Sequence, residues 1–549
     1  MKFTVTAFGE TKTYDRKVSL LEILGDRDPE KKILACRVNN RIRSLTYELH
    51  QDSNLVFITC RDPEAMKIYE ATLRFIVAMA FHRAYPDQKI RFSYDISRTV
   101  SIHLIEPHVS ATTAMLLRVK HEIAKITEAD YPLERCTVSV EEAKEIFEKN
   151  GYLDKLDILS FRPEKTVHLY RCDGYVDYMY SHMTPSTGYI KDFKIRLYAP
   201  GLLLQYPRSE TKGTIPEFED APTFNRTLKE SHDWAKIVHS SNVSGINRMI
   251  QALGPIDYIN LCEARHNRML TELGELICDD IDQIRLICIA GPSSSGKTTF
   301  ANRLRIELMS RGLHPIRLSI DDYYRPKSEM PIDEDGNPDY ESIECLDIPL
   351  FNQNMLELIS GQEVTLPKFD FQLGHRVEGR TLKIGPGQPI IIEGIHALND
   401  ALHMDIPKSA KFKIFIAPQA QINLDDHNPL SLTDLRLIRR IVRDYQFRNS
   451  PAEETLHMWP SVRAGEFKWI YPYQEGCDYV FNSMLSYELP VLKKYAVPLL
   501  KKIQPESDVY PMVLRLLRML KFFVDIDDSV IPNNSLMREF IGGSVYADV

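Results

Sequence analysis

None of the nine cysteines forms a C-x-x-C pair, and their odd number completes no disulfide set. This pattern reads as reduced, mostly buried thiols in a cytosolic protein. No run approaches the ~18 apolar residues that span a bilayer. Residues 1–5 alternate like a strand and lack the apolar region of a signal peptide. Both absences predict a cytoplasmic chain with no membrane partner. Positive charge is not in excess either: 68 Lys and Arg stand against 76 Asp and Glu, a net charge of −8. That argues against a protein that coats nucleic acid, while leaving room for a local basic patch. Internal repeats and low-complexity tracts are missing. So is any Asn-Lys dipeptide, and with it the N-K-x-D motif that reads guanine in GTPases.

What is present is ordinary globular material: 549 residues, 44% apolar and 26% charged. At roughly 100–200 residues per domain the length implies about three or four domains. Residues 2–7, 33–38 and 55–59 read as strands, with Asn39-Asn40 as a hairpin turn. Residues 64–83, 115–127 and 140–150 read as helices, the last stopped by Gly151. Residues 167–206 mix short strands and loops, and 225–273 are helical. From residue 283 strand and helix alternate: strands at 285–290, 316–320, 389–392 and 412–416, and a helix at 298–310. Such alternation predicts a parallel sheet covered by helices.

The strand at 285–290 runs into Gly291-Pro292-Ser293-Ser294-Ser295-Gly296-Lys297-Thr298, which is G-x-x-x-x-G-K-[ST] between a strand and a helix. The glycines let backbone N–H groups curl around phosphate, and the helix N-terminus adds positive potential. Lys297 is placed for the β- and γ-phosphates of ATP and the Thr298 hydroxyl for Mg²⁺. The candidate ATP site therefore comprises Gly291, Ser293, Ser294, Ser295, Gly296, Lys297, Thr298 and Thr299.

Four further features surround this motif. Asp321 follows the strand at 316–320, where a base for a substrate hydroxyl would sit; a turn or N-cap aspartate is the alternative. Glu393 ends the apolar run 390–392, either to hold Mg²⁺ or as a surface acid. Arg436, Arg439, Arg440 and Arg443 lie on a helix at 435–447, with Arg448 beyond it. Positions 436, 440 and 443 share a face, suited to a lid over triphosphate or to a solvated basic face. In 367–371, Phe369 and Phe371 share one side of a strand and could stack on a base or fill a core.

In this order the segments resemble the uridine/cytidine kinase and phosphoribulokinase family over about residues 283–505. The resemblance implies that Asp321 is the base toward a ribose 5′-hydroxyl and that Tyr324 lines the nucleoside pocket. It implies that Glu341 grips the ribose hydroxyls where the family has aspartate, and that Phe369 and Phe371 flank the base. It puts Glu393 near Mg²⁺ and Arg440, Arg443 and Arg448 in the lid. His375 and Arg376 join the expected substrate set, although His375 lies four residues after Phe371 where the family spaces its histidine by three. Ser450 replaces another lid arginine.

Residues 1–60 resemble the TGS domain, and 65–225 resemble the editing-type domain of threonyl-tRNA synthetase. The synthetase's H-x-x-x-H pair falls here on Ala71 and Phe75 and its cysteine on Tyr178; only His182 remains. No editing activity is expected, since Ala and Phe supply no ligand or base. RNA binding or plain structural support stay open for this half.

The expected fold is α/β. A small β-grasp-like domain (1–62) and a synthetase-like α+β domain (63–225) precede a helical linker (226–275). A P-loop kinase domain (276–505) and a helical tail (506–549) follow. The expected reaction is ATP-dependent, Mg²⁺-assisted phosphorylation of a nucleoside, with Lys297, Asp321, Arg440 and Arg443 catalytic. A sugar phosphate or another small alcohol is the alternative acceptor. A further alternative is an RNA-linked regulator. TGS-like units also adjoin P-loops in translation-linked GTPases, but Asp333-Glu334-Asp335-Gly336 fits D-x-x-G only in a turn.

Overall fold

The computed structural model describes residues 2–106, 108–332, 336, 339–370, 373–419 and 421–546. Phe371 and Asp333-Glu334-Asp335 lie outside the described residues.

The chain opens on a five-stranded sheet in the order Glu10–Tyr14, Phe3–Ala7, Ser53–Thr59, Ile33–Val38, Arg41–Arg43. Phe3–Ala7 runs parallel to Ser53–Thr59 and the other neighbours are antiparallel. Asn39 and Asn40 both take positive φ, at 46° and 56°, and turn the chain between Val38 and Arg41 as their side chains allow. A helix, Pro63–Ala84, starts where the Asp62 carboxylate accepts from Glu64 N–H and Ala65 N–H. It is apolar on nearly every side and almost wholly buried, as a helix packed all round must be. Around it lie a four-stranded and a three-stranded antiparallel sheet drawn from residues 90–205. Residues from Phe3 to Tyr206 share one apolar core, so the two front units pack as one body.

Three helices follow, Pro222–Ile237, Val243–Leu253 and Pro255–Asp279. Beyond them a five-stranded sheet is parallel throughout, in the order Ile316–Ser319, Ile390–Glu393, Leu286–Ala290, Lys411–Ala417, Tyr479–Asn482. The central strand is buried along its whole length. Its side chains divide between two cores: Ile287 and Ile289 on one face, Leu286, Cys288 and Ala290 on the other. The P-loop leaves the C-terminal end of this strand, where ligands of open α/β sheets bind. Helix Lys297–Ser310 buries Phe300, Leu304 and Leu308, and Gly312 ends it at φ 86°.

The core on the Ile287 face is not confined to the kinase sheet. It also takes in Phe147, Leu159, Leu169 and Tyr178 of the front half, Val243, Ile246 and Ile250 of the middle helices, and Leu516, Leu536 and Phe540. All nine cysteines are free thiols. No described helix is long and apolar enough to cross a membrane.

Candidate functional site

The turn between Ala290 and Lys297 wraps as a phosphate cradle. Gly291 passes so close to the next strand that a Cβ there would stand 1.9 Å from the Ile416 carbonyl oxygen. Ser294 and Gly296 take positive φ, 59° and 91°, to close the curl. The Ser294, Ser295 and Thr299 hydroxyls are buried with no hydrogen-bond partner among the described residues. Lys297 Nζ folds back onto the carbonyls of Gly291, at 3.0 Å, and Pro292, at 3.2 Å. Burial pulls its pKa down, against Glu393, Asp321 and Glu539, which hold it up. Buried hydroxyls without partners and a lysine resting on backbone carbonyls are what a loop shaped for phosphate presents.

The two strand-end acids face this loop. Asp321 sits in the turn Ile320–Tyr323, and no side-chain cap hydrogen bond forms there. Burial raises its pKa, while Lys297, Arg448 and Arg443 oppose that rise. Glu393 is 6% exposed and meets Arg317 at 3.4 Å. Its pKa is pushed up to about 7, by burial first and then by Asp321. Glu341 is likewise pushed up to about 7, chiefly by burial, with Arg440 and Lys297 pulling the other way. Asp321 and Glu393 therefore stand in one electrostatic neighbourhood with Lys297. Burial and the neighbouring Asp321 both disfavour the ionised Glu393, and a carboxylate so placed is one that a hard cation would relieve. Among the described residues no group of three or more His, Cys, Asp or Glu could hold a metal ion by itself. Mg²⁺ sites need only one or two carboxylates, their remaining positions being filled from phosphate and water.

The helix Leu432–Phe447 divides its arginines by task. Arg436 is buried and makes a two-pronged pair with Glu466, both contacts 2.7 Å. Arg439 is fully buried on Glu488 and also donates to the Ser294 carbonyl at 3.2 Å. These two hold the helix in place. Arg440 donates to the Ser293 hydroxyl at 3.0 Å and pairs with Asp444 at 3.2 Å. Arg443 shares Asp444 at 2.6 Å, and Arg448 approaches it at 3.7 Å. Three guanidinium groups thus crowd one carboxylate next to the P-loop. Arg443 pulls the Arg448 pKa down to about 10. The shared face predicted for positions 436, 440 and 443 therefore does not act as one: Arg436 points into the interior. Asp444 gathers the other three.

On the acceptor side Tyr324 and Phe369 meet edge to face, centroids 5.9 Å apart. Phe369 is 5% exposed on the strand Val364–Asp370 of a hairpin. Its backbone N–H donates to Asp322 at 3.3 Å. His375 is exposed on the returning strand, and Arg376 is tied to Asp347 at 2.9 Å. The structure brings Tyr324, Glu341 and Asp321 into mutual electrostatic reach, while Arg376 stands opposite Phe369 in the hairpin. Phe371 lies outside the described residues.

In the front half Ala71 and Phe75 are fully buried in the long helix, and Tyr178 is 7% exposed. The His182 Nε2 is buried without a hydrogen-bond partner. Burial and the charges of Arg135, Arg518 and Arg43 push its pKa down to about 3.

Comparison with known proteins follows the same division. Residues 286–489 match the family described as phosphoribulokinase / uridine kinase. The chain is 30% identical to the uridine kinase of Proteus mirabilis over 207 residues, 37% of this chain and 89% of that protein. Its N-terminal region is 30% identical over 190 residues to the threonine–tRNA ligase of Symbiobacterium thermophilum. That match covers 34% of this chain but spans only 29% of the ligase's length. Among solved structures, a D-glycerate 3-kinase from Cryptococcus neoformans aligns over 46% of this chain and 87% of its own, at 15% identity and a TM-score of 0.22.

Proposed function

The chain belongs to the phosphoribulokinase/uridine kinase family, and from that premise we propose that it transfers the γ-phosphoryl of ATP to the 5′-hydroxyl of a nucleoside in the cytoplasm. The observation that carries this reading is the convergence on Asp321, whose carboxyl lies in the field of Lys297, Arg443 and Arg448. Asp321 would hold the acceptor hydroxyl and take its proton. Lys297, Arg440 and Arg443 would neutralise charge on the transferring group, and Arg448 would reach the same phosphates. Glu341, Tyr324 and Phe369 would line the acceptor side. Thr298 and Glu393 would hold Mg²⁺, which would supply charge neutralisation at the phosphates. The synthetase-like half, apolar at positions 71 and 75, serves as a scaffold without editing activity.

The exposure of His375 and the pairing of Arg376 with Asp347 favour a second acceptor class, a small alcohol other than uridine or cytidine. The buried Glu341 speaks against an anionic one. The test is ADP release from Mg·ATP across nucleosides, sugar phosphates and other small alcohols, with Lys297→Ala as control. Turnover with a nucleoside, lost in the control, supports the first reading. Turnover with another alcohol alone moves the chain to the second. No turnover with any of them overturns both.

A further inference from the structure

The helix Lys297–Ser310 begins with N–H groups at Lys297, Thr298 and Thr299 that have no intrahelical acceptor, since the first helical bond runs from Phe300 N–H to the Gly296 carbonyl. Such amides are the ones that cradle phosphate in a loop of this kind. One of them is already taken. The Thr299 N–H donates to a carboxylate oxygen of Glu539 at 3.0 Å, across 240 residues of sequence. The same carboxylate helps set the charge state of both Lys297 and Glu393, so it lies within the phosphate site.

The backbone around Glu539 is firmly held. Leu536 packs on Gly296 so tightly that a Cβ there would meet its side chain at 2.6 Å. The Ser535 and Tyr487 hydroxyls are 3.0 Å apart. The Phe540 ring lies under the Arg439 guanidinium at 4.9 Å. Arg538 donates to the carbonyls of Asp528 and Ile531. Residues 535–541 form a strap over the P-loop, and the Glu539 side chain is its one carboxylate on the cradle. Beside it the Ser294, Ser295 and Thr299 hydroxyls remain buried and without partners among the described residues.

We infer that Glu539 is a built-in competitor for the nucleotide phosphates: its carboxylate caps the P-loop helix, and ATP binds by displacing it. The anchored backbone confines the exchange to a swing of this one side chain. The inference rests on the nucleotide-site reading of residues 291–298. The competition lowers the affinity for ATP.

The test is equilibrium binding of Mg·ATP to the full-length protein by titration calorimetry, without acceptor, for wild type, Glu539→Ala, Glu539→Gln and Lys297→Ala. Release of one charge-assisted hydrogen bond predicts ATP binding on the order of tenfold tighter in Glu539→Ala. Glu539→Gln should fall between this and wild type. It keeps the side chain's size, so it carries the test alone if the alanine protein fails to fold. Unchanged or weaker binding by the folded variants, with wild type binding and Lys297→Ala not, overturns the competitor and leaves the nucleotide site standing. Binding by none of the proteins overturns both.

Discussion

Arg440 reaches from the lid helix to the Ser293 hydroxyl of the P-loop at 3.0 Å. The contact holds a guanidinium against the P-loop, an arrangement that costs little reorganisation during transfer. Arg440→Ala is expected to lower kcat on the order of 10²–10³-fold, the loss seen when one preorganised donor is removed. Steady-state ADP release measures it, and a loss below tenfold would take Arg440 out of the chemistry.

Arg436, one turn earlier, should behave differently. Its partner Glu466 is fully buried, and removing the guanidinium leaves that carboxylate to Arg463 and Tyr471. Arg436→Ala should therefore cost about 3 kcal/mol of stability, as buried pairs do when one member is deleted. Denaturant unfolding reads this directly. A midpoint like that of wild type would show the pair to be dispensable.

Asp321→Asn should keep ATP binding and lose turnover by about 10²–10⁴-fold, the usual contribution of a positioned base. Calorimetry and initial rates on the same preparation separate the two. Near-normal rates would remove Asp321 from the reaction.

Glu393 gives a pH signature. Its folded pKa, about 7, lies above the ordinary 4.5, so the folded protein holds this proton more tightly than the unfolded chain. The stability contributed is full below pH ~4.5 and is lost as pH rises through ~7. Glu393→Gln should flatten that part of the stability curve and unfold at a higher temperature than wild type above pH 7. Thermal melts of both proteins between pH 4.5 and 8 test the sign. Mg·ATP should narrow the gap, since a bound cation favours the ionised carboxylate.

Much of the site was legible because its signals are local. The P-loop is eight consecutive residues with two glycines at fixed places. Asp321 and Glu393 could be placed because apolar runs mark the strands they end. The division of labour along the lid helix was not legible. Arg436 and Arg440 stand one turn apart and look alike in sequence, and what separates them is Glu466 against Ser293, chosen by packing. The hairpin that pairs Val364–Asp370 with His375–Leu382 was read only as a short strand. The helices Ile348–Ile359 and Ala452–Gly465 gave no sequence prediction. Glu539 was invisible because its partner lies 240 residues away, and no periodicity reports such a meeting.

Leu159, Leu169 and Tyr178 share an interior with Ile287, Ile414 and Leu437. Whatever separate origins the two halves of this polypeptide had, the seam between them has healed. A protease nick between residues 206 and 222 would not yield two finished proteins, because each fragment would carry a torn face of common core. Substitutions on either side of the seam must answer one another, because both sides line one interior.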